Sequence, residues 1–159
     1  MIKSCYPNAI ELIDVVFDFV ITEAAKTYLR MDIGQISMDL ANKVEAQTNI
    51  QLSNFRISID THGIRHILFK HGNTESEALR GQLSVHKRNL WLIPNIIDFA
   101  DTIQNAGKSS LGNDVILIEK TIKDYRYCTI WEVRAVKSIK KQTIKNSRIM
   151  LRTFYIRPI

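Results

Sequence analysis

DVILIEKTIKDYRYCTIWEVRAV, residues 114–136, decides the fold, because it contains two long β-strand patterns separated by a short turn. Apolar, β-branched and aromatic residues dominate both halves, and Lys123–Asp124 supplies the turn. RIMLRTFYI, residues 148–156, has the same β character. The last third of the chain therefore predicts an antiparallel meander of three strands.

The chain before residue 110 is mostly helical in pattern. One exception is FRISI, residues 55–59, in which apolar and polar residues alternate as they do in a half-buried strand. Apolar residues elsewhere recur at helical spacing, and Pro94 and Gly107 would open and close the last helix. The predicted helices are residues 8–29, 37–47, 62–71, 75–79 and 94–104.

Capping residues surround the third and fourth predicted helices. Asp60 and Thr61 can cap the helix that runs to residue 71, and Gly72 would end it in the left-handed conformation. Thr74 and Glu77 have the spacing of a capping box.

This order of elements, α-α-β-α-α-α-β-β-β, indicates an α+β fold. We expect N-terminal helices packed on a roughly four-stranded antiparallel sheet. Residues 1–52 would form a helical accessory segment, and residues 53–159 would form an α+β core within one compact unit.

Composition indicates a soluble globular protein, with 159 residues, 45% apolar and 24% charged. Glu11, Asp14 and Asp18 interrupt the apolar run near the N-terminus, so we predict no signal peptide and no membrane span. Cys5 and Cys128 fit a reduced cytoplasmic environment, with a disulfide as the alternative.

Charge is distributed unevenly along the chain, although the net charge is only +6. Residues 1–60 hold 5 Lys/Arg against 8 Asp/Glu, giving −3, whereas residues 61–159 hold 17 against 8, giving +9. A basic half joined to a mildly acidic one favours a polyanionic partner. The alternative is a solvated surface that is rich in lysine.

All four histidines lie in a short stretch of the chain, at His62, His66, His71 and His86. His62 and His66 have the i, i+4 spacing of helical metal ligands, but no Glu follows His62 and no third ligand is near in sequence. We therefore predict no metal site and no cofactor. His66 and His71 lie about 140° apart around the helix, so they cannot simply be two ligands of one site on it.

His71 is the first candidate for proton transfer, because imidazole readily exchanges a proton near neutral pH. It ends a predicted helix beside Lys70. The alternative is a histidine that only caps the last carbonyl groups of the helix.

Alternation along residues 125–136 puts two sets of side chains on opposite faces of the sheet. The apolar row should face the core, so the row with Glu132 and Arg134 should be more open. That pair could accept a proton and bind a phosphate, or it could be a cross-strand ion pair. Thr153 and Tyr155 share a face of the last strand, where they could reach a phosphate oxygen or be ordinary β-formers. The apolar row is Tyr127, Thr129, Trp131, Val133 and Ala135, and the other row is Arg126, Cys128, Ile130, Glu132 and Arg134.

The order of several motifs resembles that of a known superfamily. HILFKHG is followed by EALRGQ, LIPNIIDFAD, VILIEKTIKDYRYCTIWEVRAVK and LRTFY. This succession resembles the phage- and toxin-associated branch of the metal-independent ribonucleases that include barnase, EndoU, colicin D and RelE. The resemblance covers residues 55–155. Two departures are Ala100-Asp101, where relatives often have Pro-Asp, and the stretch KSIKKQTIKNS before the last strand.

The resemblance implies a toxin-type endoribonuclease that acts in the cytoplasm and is either delivered or phage-encoded. The ribose 2′-hydroxyl would attack the adjacent phosphate and leave a 2′,3′-cyclic phosphate, without a metal. RNA, with tRNA as one candidate, and an acidic inhibitor or immunity protein would be the partners; no membrane partner is implied.

The residue types and the resemblance together give two sets of candidates. The catalytic set is His71, His66, Glu132, Arg134 and Thr153. The RNA-binding set is Lys70, Arg65, Arg80, Lys120 and Tyr155. Two alternatives are a non-catalytic nucleic-acid-binding or phage structural module, and a protein whose N-terminal helices bind a partner.

Overall fold

The three C-terminal strands form the antiparallel meander that the sequence predicts. This computed structural model describes residues 6–22, 27–136 and 147–159, so Cys5 lies outside the described residues. The helices are α1 (Ala9–Thr22), α2 (Met38–Thr48), α3 (Thr61–His71), α4 (Thr74–Leu79), α5 (Lys87–Leu90) and α6 (Ile93–Asp98). The strands are β1 (Arg30–Gln35), β2 (Arg56–Asp60), β3 (Thr102–Lys108), β4 (Asp114–Ile122), β5 (Tyr125–Arg134) and β6 (Arg148–Pro158).

The sheet has six strands in the order β1-β2-β6-β5-β4-β3. The predicted α+β class is confirmed. The prediction of about four strands, all antiparallel, is wrong, because the sheet has six strands and one pair of them is parallel. β2 and β6 pair in parallel, while the other neighbours are antiparallel. The parallel pair joins strands that are distant in the chain, and no local pattern reports such a pairing.

Two strands were not predicted: β1 follows directly after one predicted helix, and β3 overlaps the end of another. The helix predicted over residues 8–29 is α1, which ends at Thr22, and β1 begins at Arg30; residues 23–26 lie outside the described ones. The helix predicted over 94–104 ends at Asp98 because β3 begins at Thr102.

Three of the predicted helix ends also differ from the structure. Gly72 is right-handed with φ of −89°, and Asn73, rather than Thr74, caps α4 by accepting from the Ser76 N–H. The predicted capping box is therefore wrong. Gly107 does not close a helix; it lies in β3 with φ of +95°, where the register with β4 shifts. Pro94 does open α6.

One apolar core joins the helices to one face of the sheet. Ile13 of α1 and Val44 of α2 are buried in the same cluster as Ile64 and Ile67 of α3 and Trp131 of β5. No helix among the described residues is long and apolar enough to cross a membrane.

The opposite face of the sheet is polar. Glu119, Cys128 and Tyr155 pair across β4, β5 and β6, and directly paired residues share a face. We call this the polar face. Glu132 shares it by alternation but is only 2% exposed, so the prediction of an open surface is wrong at this residue.

Candidate active site

α3 lies close against β6, and a glycine allows this approach. A Cβ atom at Gly63 would stand 2.4 Å from the carbonyl oxygen of Leu151, so any other residue would force the helix and strand apart. Asp60 begins the helix as predicted, because its Oδ1 accepts a hydrogen bond of 2.7 Å from the Gly63 N–H. The close approach sets the histidines of α3 beside β6.

A cleft of about 460 Å³ opens between these two elements. Its lining is His62, Gly63, His66, Arg152 and Thr153. The pairing of β5 and β6 shifts register between Ile130 and Trp131, opposite Arg152, so the strand is irregular at the cleft.

Thr153 places an unused polar group at this cleft. Its hydroxyl oxygen is buried and forms no hydrogen bond within the part of the chain that the structure describes. A buried polar atom without a partner costs about 1–3 kcal/mol. A ligand oxygen in the cleft would supply the missing partner.

His71, at the end of α3, is held by a carboxylate. Its Nδ1 lies 3.0 Å from Oε2 of Glu77, and the side chain of Glu77 is completely buried. Arg80 donates from Nη1 to Oε1 of Glu77 at 2.8 Å and to the carbonyl oxygen of Lys70 at 2.7 Å. Arg80 therefore joins the C-terminus of α3 to the carboxylate that holds His71.

Glu77 is a candidate-site residue that the sequence analysis did not identify. Its position three residues after Thr74 explained it as part of a capping box. The available signal was a glutamate six residues after a histidine, across a glycine-containing turn, but that spacing alone does not predict a contact.

A protonated polar network lies next to His71. The rings of His71 and Tyr155 have centroids 5.7 Å apart. Burial, followed by the neighbouring Cys128, raises the pKa of Tyr155 to about 12. Burial and a hydrogen bond with Glu119 likewise raise the pKa of Cys128 to about 12. The Glu119 carboxylate accepts at 3.2 Å from both the Cys128 thiol and Arg157. Because both raised pKa values lie far above 7, the Tyr155 hydroxyl and the Cys128 thiol keep their protons at neutral pH.

The pKa of His66 is lowered, in contrast to the raised pKa values of Tyr155 and Cys128. Partial desolvation is the main cause that lowers its pKa, and the positive charges of Lys70, His71 and Arg152 lower it further. A lowered pKa keeps the ring neutral at neutral pH. His66 can therefore accept a proton in a region that attracts phosphate.

Glu132 and Arg134 form an ion pair farther along the polar face. Oε1 of Glu132 accepts from Nε of Arg134 at 2.8 Å. Burial alone would raise the pKa of Glu132, but hydrogen bonds from Ser109, Arg134 and Asn113 outweigh it and lower the pKa. Glu132 lies four residues from Cys128 along β5, about 13 Å away.

Two other predicted RNA contacts point away from His71. Arg65 donates from Nη2 to the carbonyl oxygen of Thr27 at 3.4 Å, near the start of α3. Lys120 donates to the carbonyl oxygen of Phe99 at 2.9 Å, and it pairs with Tyr127 on the other face of the sheet. Lys70 is exposed at the end of α3.

Comparison with known proteins gives one result. No curated protein and no solved structure matches the chain. One family profile matches residues 34–157, which include α3, α4 and every strand except the first residues of β1 and the last of β6. This match confirms the resemblance drawn from the order of the motifs. The chain belongs to the family described as phage-Barnase-EndoU-ColicinE5/D-RelE like nuclease3.

Proposed function

We propose that this protein is an endoribonuclease that cleaves RNA through the ribose 2′-hydroxyl and needs no metal ion. Membership of a nuclease family supports a nucleic-acid substrate and an enzymatic activity. The observation that carries the proposal is the contact between Nδ1 of His71 and the buried Glu77, on the same helix as His66, which lines the cleft and on which His71 acts electrostatically. A histidine oriented by a carboxylate beside a second, neutral histidine is suited to paired acid and base catalysis.

His66 would begin the reaction as the base. It takes the proton of the 2′-hydroxyl, whose oxygen then forms a bond to phosphorus. The bond between phosphorus and the 5′ oxygen breaks, and His71 gives that oxygen a proton from Nε2. The products are a 2′,3′-cyclic phosphate and a 5′-hydroxyl end. Glu77 holds the Nδ1 side of His71, which leaves Nε2 for this transfer.

Positive charge and one hydroxyl would stabilise the transition state. Arg152 lines the cleft with His66, and both Arg152 and Lys70 act electrostatically on that ring. They would bind the phosphate oxygens as negative charge builds up. The buried hydroxyl of Thr153 would complete its hydrogen bonding with the same group.

Other candidates take different roles in this proposal. Glu132 would hold Arg134 rather than accept a proton, because its oxygens already accept hydrogen bonds from Arg134 and Asn113. Arg80 would orient Glu77 rather than bind phosphate. Tyr155 would support the ring of His71.

The biological setting that we propose is that of a toxin-type effector acting on cytoplasmic RNA, with tRNA as one candidate. The excess of basic residues in the second half of the chain supports attraction of RNA. The same charge would suit an acidic inhibitor or immunity protein that covers the cleft.

Cleavage of RNA in the presence of EDTA tests the mechanism. Purified protein is incubated with mixed tRNA and with a synthetic RNA, and the ends of the products are identified by mass spectrometry. We expect cyclic phosphate ends, and a loss of rate of about 10²–10⁴-fold in His71→Ala. His86→Ala is the matched control, because the Nε2 of His86 contacts Ser84 and His86 does not line the cleft of His66. Cleavage that requires a divalent metal, or an undiminished rate in His71→Ala, contradicts the proposal.

A second candidate is a nucleic-acid-binding module that does not cleave. The arginines of the polar face that lie away from His71 favour it, because they can bind phosphates without any histidine. This function predicts no cleavage and an RNA affinity that His71→Ala leaves unchanged.

A further inference from the structure

Three arginines form a row across the middle of the sheet. Arg56 of β2 pairs with Arg148 of β6, and Arg148 pairs with Arg134 of β5. Paired residues share a face of the sheet, and like charges placed directly opposite one another are destabilising. Negative charge close to the row would therefore stabilise it.

Among the described residues, two carboxylates form ion pairs with this row of arginines. Asp32 forms ion pairs with two of them, at 2.9 Å from Nη1 of Arg148 and at 3.4 Å from Nη1 of Arg56. Glu132 serves Arg134. Burial is the main cause that lowers the pKa of Arg148, and the charges of Arg30 and Arg56 lower it further while Asp32 opposes them.

Arg30 adds a fourth guanidinium group. It pairs in register with Asp60, but within the described residues no ion pair joins the two side chains. The oxygens of Asp60 accept instead from the Tyr28 hydroxyl at 3.0 Å and from the Gly63 N–H. The Asp60 carboxylate is therefore engaged by neutral donors.

These arginines line a cavity. Arg30, Arg134 and Arg148 surround about 320 Å³ together with Ala135 and Val136. The Arg148 side chain is only 8% exposed, so it is fixed in place, whereas Arg134 is 33% exposed and can meet a ligand from solvent. A planar guanidinium matches the geometry of a phosphate group with two parallel hydrogen bonds.

We propose that Arg30, Arg134 and Arg148 form a second phosphate subsite, which binds the RNA backbone away from the phosphate that is cleaved. This inference rests on the proposed function for the identity of the ligand as RNA. Arg148 lies five positions from Thr153 along β6, or about 16 Å. The substrate is therefore an oligonucleotide, because a dinucleotide has one phosphate and cannot occupy both sites.

Tyr28 lies on the path between the two sites. It is 48% exposed, and its ring centroid is 5.5 Å from that of His62, which lines the cleft. Arg134 and Arg30 act electrostatically on its hydroxyl, which places it near the arginine cavity as well. An exposed aromatic ring between two phosphate sites offers a surface on which a base can stack.

The test is binding of labelled oligonucleotides whose 2′-hydroxyls are O-methylated, measured by fluorescence anisotropy over a range of salt concentrations. Because such oligonucleotides cannot be cleaved through the 2′-hydroxyl, the measurement does not depend on the reaction. Arg30→Ala is compared with Arg88→Ala, an equal change of charge at an exposed position of α5. Arg30 is itself exposed, so its replacement leaves the core intact.

We expect Arg30→Ala to weaken binding of an octanucleotide about tenfold and to leave binding of a dinucleotide unchanged. The slope of log K against log salt for the octanucleotide should fall by about 0.7, the value for one phosphate contact with a single strand. Arg88→Ala should change neither. Equal effects of Arg30→Ala on the two lengths, or no effect on either, would overturn the subsite.

The two proposals can fail separately. A protein that never cleaves RNA but loses octanucleotide binding in Arg30→Ala has the subsite without the proposed reaction. If the protein cleaves RNA and depends on His71, but Arg30→Ala binds each oligonucleotide as tightly as wild type does, the protein has the reaction without the subsite.

Discussion

Nδ1 of His71 lies 3.0 Å from Oε2 of Glu77, and the Glu77 side chain has no exposed surface. A carboxylate is costly to bury unless hydrogen bonds and a positive partner compensate for lost solvation. Arg80 supplies the cation at 2.8 Å. The fold therefore maintains a buried carboxylate whose second oxygen holds one imidazole nitrogen, which is the arrangement that fixes a histidine for proton transfer.

Glu77→Gln should slow cleavage with little change in the KM for RNA. Glutamine keeps the size of the side chain but loses the charge that orients His71, so we expect kcat to fall about a hundredfold. Steady-state kinetics on a synthetic RNA gives the two constants separately. Glu75→Gln, an exposed site on the same helix, is the control and should behave as wild type. A rise in KM with an unchanged kcat would show that Glu77 does not act through the chemical step.

Lys70→Gln should move the pH dependence of cleavage in a defined direction. A base works when neutral, and its lowered pKa keeps His66 neutral below the ordinary imidazole value of about 6.5. Wild-type activity should therefore fall only at a pH below that value. Removal of the Lys70 charge raises the pKa of His66, so the acid limb of the kcat/KM profile should shift to higher pH. Lys43→Gln on α2 is the control, and an acid limb that stays in place in Lys70→Gln would remove His66 as the base.

The central strands and the main helices could be predicted because their patterns are local. The β4 to β6 meander has long apolar and β-branched runs, and α3 has a capping aspartate before a regular apolar stripe. The edge strands lack these signals. In β1 a bulge between Asp32 and Gly34 breaks the alternation, and in β3 only Ile103 is buried. Both edge strands form through backbone pairing with a neighbouring strand, β1 with β2 and β3 with β4, and not through a side-chain pattern of their own.

The candidate site was predictable in part for the same reason. His66, His71 and Thr153 carry chemistry that is visible in the residue type, and the structure sets His66 and Thr153 at one cleft with His71 nearby. Arg152 could not be found in the same way, because its place at the cleft depends on the irregular register of β6. The row of Arg56, Arg148 and Arg134 depends on a parallel pairing that no local pattern contains.

Thr153→Val should stabilise the protein while it impairs cleavage. The Thr153 hydroxyl is buried without a partner among the described residues, so an isosteric apolar group should raise the free energy of unfolding by about 1 kcal/mol. The loss of a hydrogen bond to the phosphate should lower kcat about tenfold. Thr129→Val is the contrasting variant: that hydroxyl accepts from Nε1 of Trp131 and donates to the Ile118 carbonyl, so its loss should cost about 2 kcal/mol. Denaturant unfolding measures both, and a destabilised Thr153→Val would mean that its hydroxyl is already satisfied.

Glu132→Gln should affect stability far more than catalysis. A carboxyl whose pKa is lowered by folding stabilises the protein above its unfolded value, about 4.3, and that contribution is lost as the pH falls through the lower folded value. We therefore expect Glu132→Gln to reduce the free energy of unfolding by about 2 kcal/mol at neutral pH, and the difference from wild type to shrink below about pH 4. Glu45→Gln, at an exposed site of α2, is the control. Unfolding curves recorded from neutral pH to below about pH 4 measure the effect on stability. The kcat at neutral pH measures the effect on catalysis. A loss of kcat of about a hundredfold or more would instead place the Glu132 carboxylate in the reaction.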